Sequence, residues 1–118
     1  MSVENNFVVI YSFKIIPGKE NDFIVDWLEL TKLIYEHAGS YGSRLHKVDQ
    51  NFFMAYAQWP DKETWENSNL RLPERGIILS KQMRENCLEI KTEYQMRVLH
   101  DFLYDSAYTD NNKKSSQE

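Results

Sequence analysis

Residues 7 to 15 are almost continuously apolar, with Phe7, Val9, Tyr11 and Phe13 on one face of an extended chain and Val8, Ile10 and Ser12 on the other. A strand covered on both sides reads this way, so an interior position in a sheet is expected. Pro17 and Gly18 interrupt the run. Glu20 and Asp22 then place carboxylates in the first turn of a helix, where the N-terminal dipole favours them. Phe23, Trp27, Leu30 and Ile34 follow at intervals of four, three and four, the stripe of an amphipathic helix packed on something flat, and Gly39 ends it.

Residues 42 to 48 and 52 to 59 are two short strand candidates separated by the turn formers Asp49, Gln50 and Asn51, which predicts an antiparallel hairpin. Asp61 suits an N-cap, and a broken helical stretch through Asn67, Ser68 and Asn69 restarts at Pro73, a favourable first helical residue. Leu72, Gly76, Leu79, Met83 and Cys87 then repeat at helical spacing. A last strand alternates Leu88, Ile90, Thr92, Tyr94, Met96 and Val98 against Glu89, Lys91, Glu93, Gln95 and Arg97. Beyond about Tyr104 the chain turns to Asp, Asn, Lys, Ser and Gln, a composition that does not fold by itself.

The order strand, helix, strand, strand, helix, strand predicts an α+β, ferredoxin-like βαββαβ domain over residues 1 to 104, followed by a polar flexible tail over 105 to 118. Two helices cover only one face of such an antiparallel sheet. Because the first and third strands are largely apolar on both faces, the second face needs a partner, and a two-fold homodimer is expected.

Composition narrows the function classes. A chain of 118 residues fits one core, and its 14% aromatic content, with three Trp and seven Tyr, serves either that core or an aromatic pocket. With a net charge of −4 and scattered basic residues, nucleic acid is not an expected partner. Cys87 is the sole cysteine, so no internal disulfide can form, no Cys/His cluster suggests a metal, and a cytoplasmic location is expected. Neither a basic start followed by an apolar stretch nor a run of about 18 apolar residues occurs, so no membrane association is expected. Phosphate-cradling glycine loops, a serine nucleophile elbow and a His-x-x-x-His pair are also missing. Cys87 reads as inert filling rather than a nucleophile.

The chemistry concentrates around Tyr56, Ala57, Gln58 and Trp59, a strand end followed at once by a helix start with Trp65 on its first turn. Two indoles beside the small residues Ala55 and Ala57 describe a wall with room in front of it, suited to a flat ligand. This segment, Pro17 Gly18 Lys19 Glu20 ahead of the aromatic helix stripe, and the element order together resemble the antibiotic biosynthesis monooxygenase superfamily of dimeric α+β barrels, over roughly residues 7 to 99. The resemblance implies a cofactor-independent monooxygenase that oxidises a flat aromatic, phenolic or quinol-like small molecule with molecular oxygen, without metal or flavin. The superfamily also contains haem degraders and many proteins without known activity.

Carried over by position, Trp59 matches the strand-end Trp that lines the substrate cavity, and His46 falls near the pocket histidine of the preceding strand. Ala55 stands where those enzymes have Asn, and Trp65 where they have Tyr, so two polar handles on a phenolic substrate are missing. The haem degraders need a histidine on the second helical region, and none lies between His46 and His100.

His46 and Trp59 are therefore the catalytic candidates, and Arg44, Ala55 and Trp65 the substrate-binding ones. An imidazole with a pKa near 6.5 suits proton transfer at neutral pH, and Arg44 lies two residues earlier on the same strand face. Each has a plainer reading: His46 as a solvated strand residue, Trp59 and Trp27 as core, Trp65 as an edge cover, Arg44 as a surface ion pair. The hairpin register decides for His46. A four-residue loop sets Lys47 against Phe52 and puts His46 with Phe53, Ala55 and Trp59; a three-residue loop puts it beside Met54, Tyr56 and Gln58. The alternative function is a non-catalytic homodimeric module of the same fold that binds a small hydrophobic molecule or acts in interactions.

Overall fold

A computed structural model describes residues 6–103 of the chain. Four strands, β1 (Phe7–Ile15), β2 (Gly42–Asp49), β3 (Phe52–Trp59) and β4 (Cys87–Arg97), form one antiparallel sheet in the order β2-β3-β1-β4. Helices α1 (Glu20–His37), α2 (Lys62–Glu66) and α3 (Glu74–Arg84) complete it, with a single 3-10 turn (Ser68–Arg71) between α2 and α3. The ferredoxin-like order expected from the sequence is the one observed, with β1 and β3 central. The expected tail over 105 to 118 lies outside the described residues.

Local chemistry sets most element ends. Lys19 N–H donates to Ile16 O across 2.9 Å, and Gly18 between them sits at φ +89°. Pro followed by a positive-φ glycine is the signature of a type II turn, and it delivers the chain from β1 into α1. Gly39, at φ +86°, follows the end of α1, and a Cβ there would come within 2.9 Å of Thr64 Cγ2. Asp61 caps α2 as expected, its Oδ1 accepting from Thr64 N–H at 2.7 Å. The hydrogen bond holds the Asp61 carboxyl below its usual range.

Phe23, Trp27 and Leu30 of α1 and Gly76, Leu79 and Met83 of α3 are buried against the sheet. Phe23 packs between Phe13 and Phe53, with ring centroids 4.9 and 5.6 Å away. Buried Asp26 ties the two helices together, its carboxylate accepting from Gln82 Nε2 at 2.9 Å and Asn86 Nδ2 at 3.0 Å. That polar link across the helix layer has no signature in the apolar spacing. Among the described residues, no helix is long and apolar enough to cross a membrane.

Two details depart from the periodic reading. Cys87 opens β4 opposite Ile15 instead of ending the α3 stripe. In β4, Thr92 pairs with Tyr11 but Tyr94 pairs with the adjacent Ile10, so two positions of β4 are spent on one step of β1. This bulge sends Ile90 and Thr92 to the helix side and Tyr94 and Met96 to the open side, where a plain alternation would keep all four together. Glu93, the extra residue, accepts from Ser12 Oγ at 2.6 Å.

A candidate binding cavity under the helices

The register across three strands creates a depression on the helix side. Ala57 of β3 lies opposite Val9 on one neighbour and Ser43 on the other, a row of short side chains across the sheet. In the flanking rows stand Trp59 opposite Phe7 and Ala55 opposite Tyr11. A row of small residues between larger ones cannot reach the helices above it. The result is a cavity of about 170 Å³, partly open to solvent, floored by Tyr11, Ala57 and Trp59 and walled by Trp27 and Leu30 of α1 and by Met83 and Arg84 of α3. Its contact surface is largely apolar, with Ser40, Ser43 and Ser80 supplying hydroxyls.

Of the residues singled out in the sequence, Trp59 lines this cavity and is 3% exposed. Ala55 is buried one row away, in the core cluster with Phe13, Phe53 and Trp27. Trp65 does not line the cavity; it packs on Phe7 with centroids 5.8 Å apart and donates its indole N–H to Tyr11 Oη at 2.7 Å. Trp27 is both core and cavity wall.

His46 and Arg44 lie elsewhere. Asp49 pairs with Phe52, a register shift at Val48 follows, and His46 comes to rest opposite Met54 and Arg44 opposite Tyr56. His46 therefore faces as in the second of the two sequence registers, although neither loop length is the one adopted: the loop has two residues, and the extra residue at Val48 sets the facing. His46 and Arg44 are exposed on the face turned away from the helices, beside an open depression shared with Tyr41, Tyr56, Gln58 and Leu103. His46 Nδ1 stands 3.4 Å from Met54 O.

Sequence reading missed Tyr11 and Arg84. Tyr11 is the one polar-tipped side chain among Phe7, Val9, Tyr11, Phe13 and Ile15, the helix-facing row of β1. A phenol in such a row needs a partner for its hydroxyl, and that was the available signal. Burial pushes the Tyr11 phenol above its ordinary value, while the Trp65 hydrogen bond and the Arg84 charge pull part of the way back. Tyr11 thus stays protonated at neutral pH. Burial also raises the Cys87 thiol to about 11 against the pull of Arg84, which keeps it unreactive. Among the described residues, no group of three His, Cys, Asp or Glu is placed to hold a metal ion.

No protein-family model matches the chain, and no curated protein matches it in sequence. Solved structures do match in fold. A Pseudomonas aeruginosa protein is 19% identical with a TM-score of 0.67, over 83% of this chain and 98% of its own. A Chloroflexus aurantiacus protein described as a candidate antibiotic biosynthesis monooxygenase is 11% identical with a TM-score of 0.68, over 80% of this chain and 94% of its own. A mutant of SnoaB, a cofactor-independent oxygenase from Streptomyces nogalater, is 11% identical with a TM-score of 0.65, over 83% and 97%. The chain therefore has the ferredoxin-like α+β fold of structures named as antibiotic biosynthesis monooxygenases.

Proposed function

We propose that the protein binds a flat phenolic or quinol-like molecule under its helices and oxidises it with molecular oxygen, without metal or flavin. The observation that carries this reading is a largely apolar cavity bounded by Trp59, with Arg84 among its lining residues. Arg84 makes no ion pair among the described residues, so its charge is available to an anion. A phenol that loses its proton to solvent beside Arg84 becomes an electron-rich phenolate, favoured by the nearby cation. Its para carbon adds oxygen as a hydroperoxide; cleavage of the O–O bond with loss of water leaves a quinone, so one phenol and one O₂ give one quinone and one water. Trp59 and Trp27 hold the ring and exclude water from it.

Oxygen uptake with hydroquinone- and anthrone-like compounds tests the reading. Turnover of at least one compound, slowed tenfold or more by Trp59→Ala and by Arg84→Ala, is expected. No turnover of any compound, or turnover indifferent to both changes, would overturn it. Among the described residues, the cavity lining contains no carboxylate or imidazole to act as a base, and this favours a second reading, a binding module without catalysis. Ligand binding without oxygen uptake identifies that case.

The same proposal includes a cytoplasmic homodimer assembled through the open sheet face. Tyr94 and Met96 are exposed there, beside the half-buried Ile10, Met54 and Tyr56.

A further inference from the structure

We infer that Tyr11 is the residue that recognises the ligand's oxygen, that Trp65 positions it, and that the enclosed part of the cavity takes a single six-membered ring. This rests on the reading of the helix-side cavity as a binding site, but not on oxygenation. An indole N–H can only donate. The 2.7 Å contact between Trp65 Nε1 and Tyr11 Oη therefore makes the phenol oxygen the acceptor, and the Tyr11 proton must point elsewhere. No described residue accepts that proton, and the Tyr11 side chain lines the cavity. The unused donor is aimed at whatever oxygen a ligand brings. A hydroxyl that already accepts a hydrogen bond is also a better donor, because the chain of bonds polarises it. Burial raises the Tyr11 phenol, so it remains a donor rather than a base across the neutral range.

Size follows from volume. An apolar cavity of roughly 150 Å³ accommodates benzene, and this partly open one offers about 170 Å³. One ring with one oxygen fits, while a fused three-ring system exceeds that volume. Trp65 neither touches the ligand nor lines its space. It fixes the direction of the Tyr11 hydroxyl from behind.

Fluorine NMR titrations under nitrogen, with para-fluorophenol and fluorobenzene as probes, test both parts. The wild-type protein should bind para-fluorophenol about fivefold more tightly than fluorobenzene, the worth of one net hydrogen bond. Tyr11→Phe should abolish that ratio and leave fluorobenzene affinity within twofold. Trp65→Phe should reduce the ratio without abolishing it, again sparing fluorobenzene. Anthrol, with three fused rings, should bind at least tenfold more weakly than para-fluorophenol. A ratio that survives Tyr11→Phe, a parallel loss of both probes, equal binding of anthrol, or no binding of either probe by the wild type would each overturn the inference. Oxygen is excluded, so failure of the oxygenase reading shows separately: a protein that passes here yet consumes no oxygen keeps the Tyr11 assignment and loses the oxidation.

Discussion

The two faces of one strand behave differently. Along β3, Phe53, Ala55, Ala57 and Trp59 point toward the helices and none is more than 5% exposed, whereas Met54, Tyr56 and Gln58, alternating with them, are only half-buried. Each set carries large side chains, Phe53 and Trp59 on one side and Met54 and Tyr56 on the other, so size alone does not separate them. What separates them is cover: α1 and α3 lie on one face, and among the described residues no helix lies on the other. The covered face builds a core and leaves a cavity where Ala57, Val9 and Ser43 are too short to fill the layer. The open face keeps Met54, Tyr56 and Gln58 half-buried, and it is there that the register has placed His46 and Arg44.

Substitutions on either side of β3 put this contrast at risk. Phe53→Ala should cost about 3–5 kcal/mol of unfolding free energy by urea titration, as expected for a buried aromatic beside Phe23. Tyr56→Ala should cost about 1 kcal/mol or less when the protein is dilute, and more as concentration rises if a second copy covers that face. Equal losses at Phe53 and Tyr56 in dilute solution would erase the distinction between the faces.

The next effect is smaller and electrostatic. Asp61 caps α2, and Glu20 accepts from Asn51 N–H and pairs with Lys47 at 3.0 Å, so it fastens the β2-β3 hairpin to the start of α1. The Asn51 hydrogen bond first, and Lys47 second, hold the Glu20 carboxyl below its ordinary value. A depressed carboxylate contributes stability that is complete above the unfolded pKa of about 4 and disappears as the pH falls through the folded value. Thermal melts taken from pH 6 to pH 2 should therefore fall on the acid side. Asp61→Ala should remove about 1 kcal/mol at pH 6 and flatten that fall.

Filling the cavity sharpens the comparison further. Ala57→Leu should cost less than about 1 kcal/mol, because space exists for the added carbons, where a tightly packed layer would be strained by roughly 1–3 kcal/mol. The same change should weaken para-fluorophenol binding more than tenfold in the titration. The smallest effect is expected at the open face. Met96→Asp should change dilute-solution stability by no more than about 0.5 kcal/mol, yet shift the mass measured by light scattering from dimer to monomer. His46→Ala should leave probe binding under the helices within twofold.

How much of this was legible in the chain depends on the range of the interaction. The α1 stripe, the Pro17–Gly18 turn, the Asp61 cap and the βαββαβ order were all readable, because each depends on residues a few positions apart. The side of the sheet that His46 occupies was not, since a single extra residue at Val48 inverts it. Likewise, the second half of β4 changes faces at Glu93, where the strand bulges against β1. Trp59 was found from its neighbours in sequence, whereas the Trp65–Tyr11 pair joins positions 54 apart.

The sequence by itself determined the elements, their order and the apolar faces, because helix and strand periods and the φ limits of Pro and Gly act within a turn or two of chain. Only the tertiary structure decided which face each polar residue joined, that a row of short side chains would line up across three strands, and that Tyr11 would keep an unspent proton beside the resulting space. Those outcomes are set by pairing between distant strands, where a shift of one residue exchanges inside for outside.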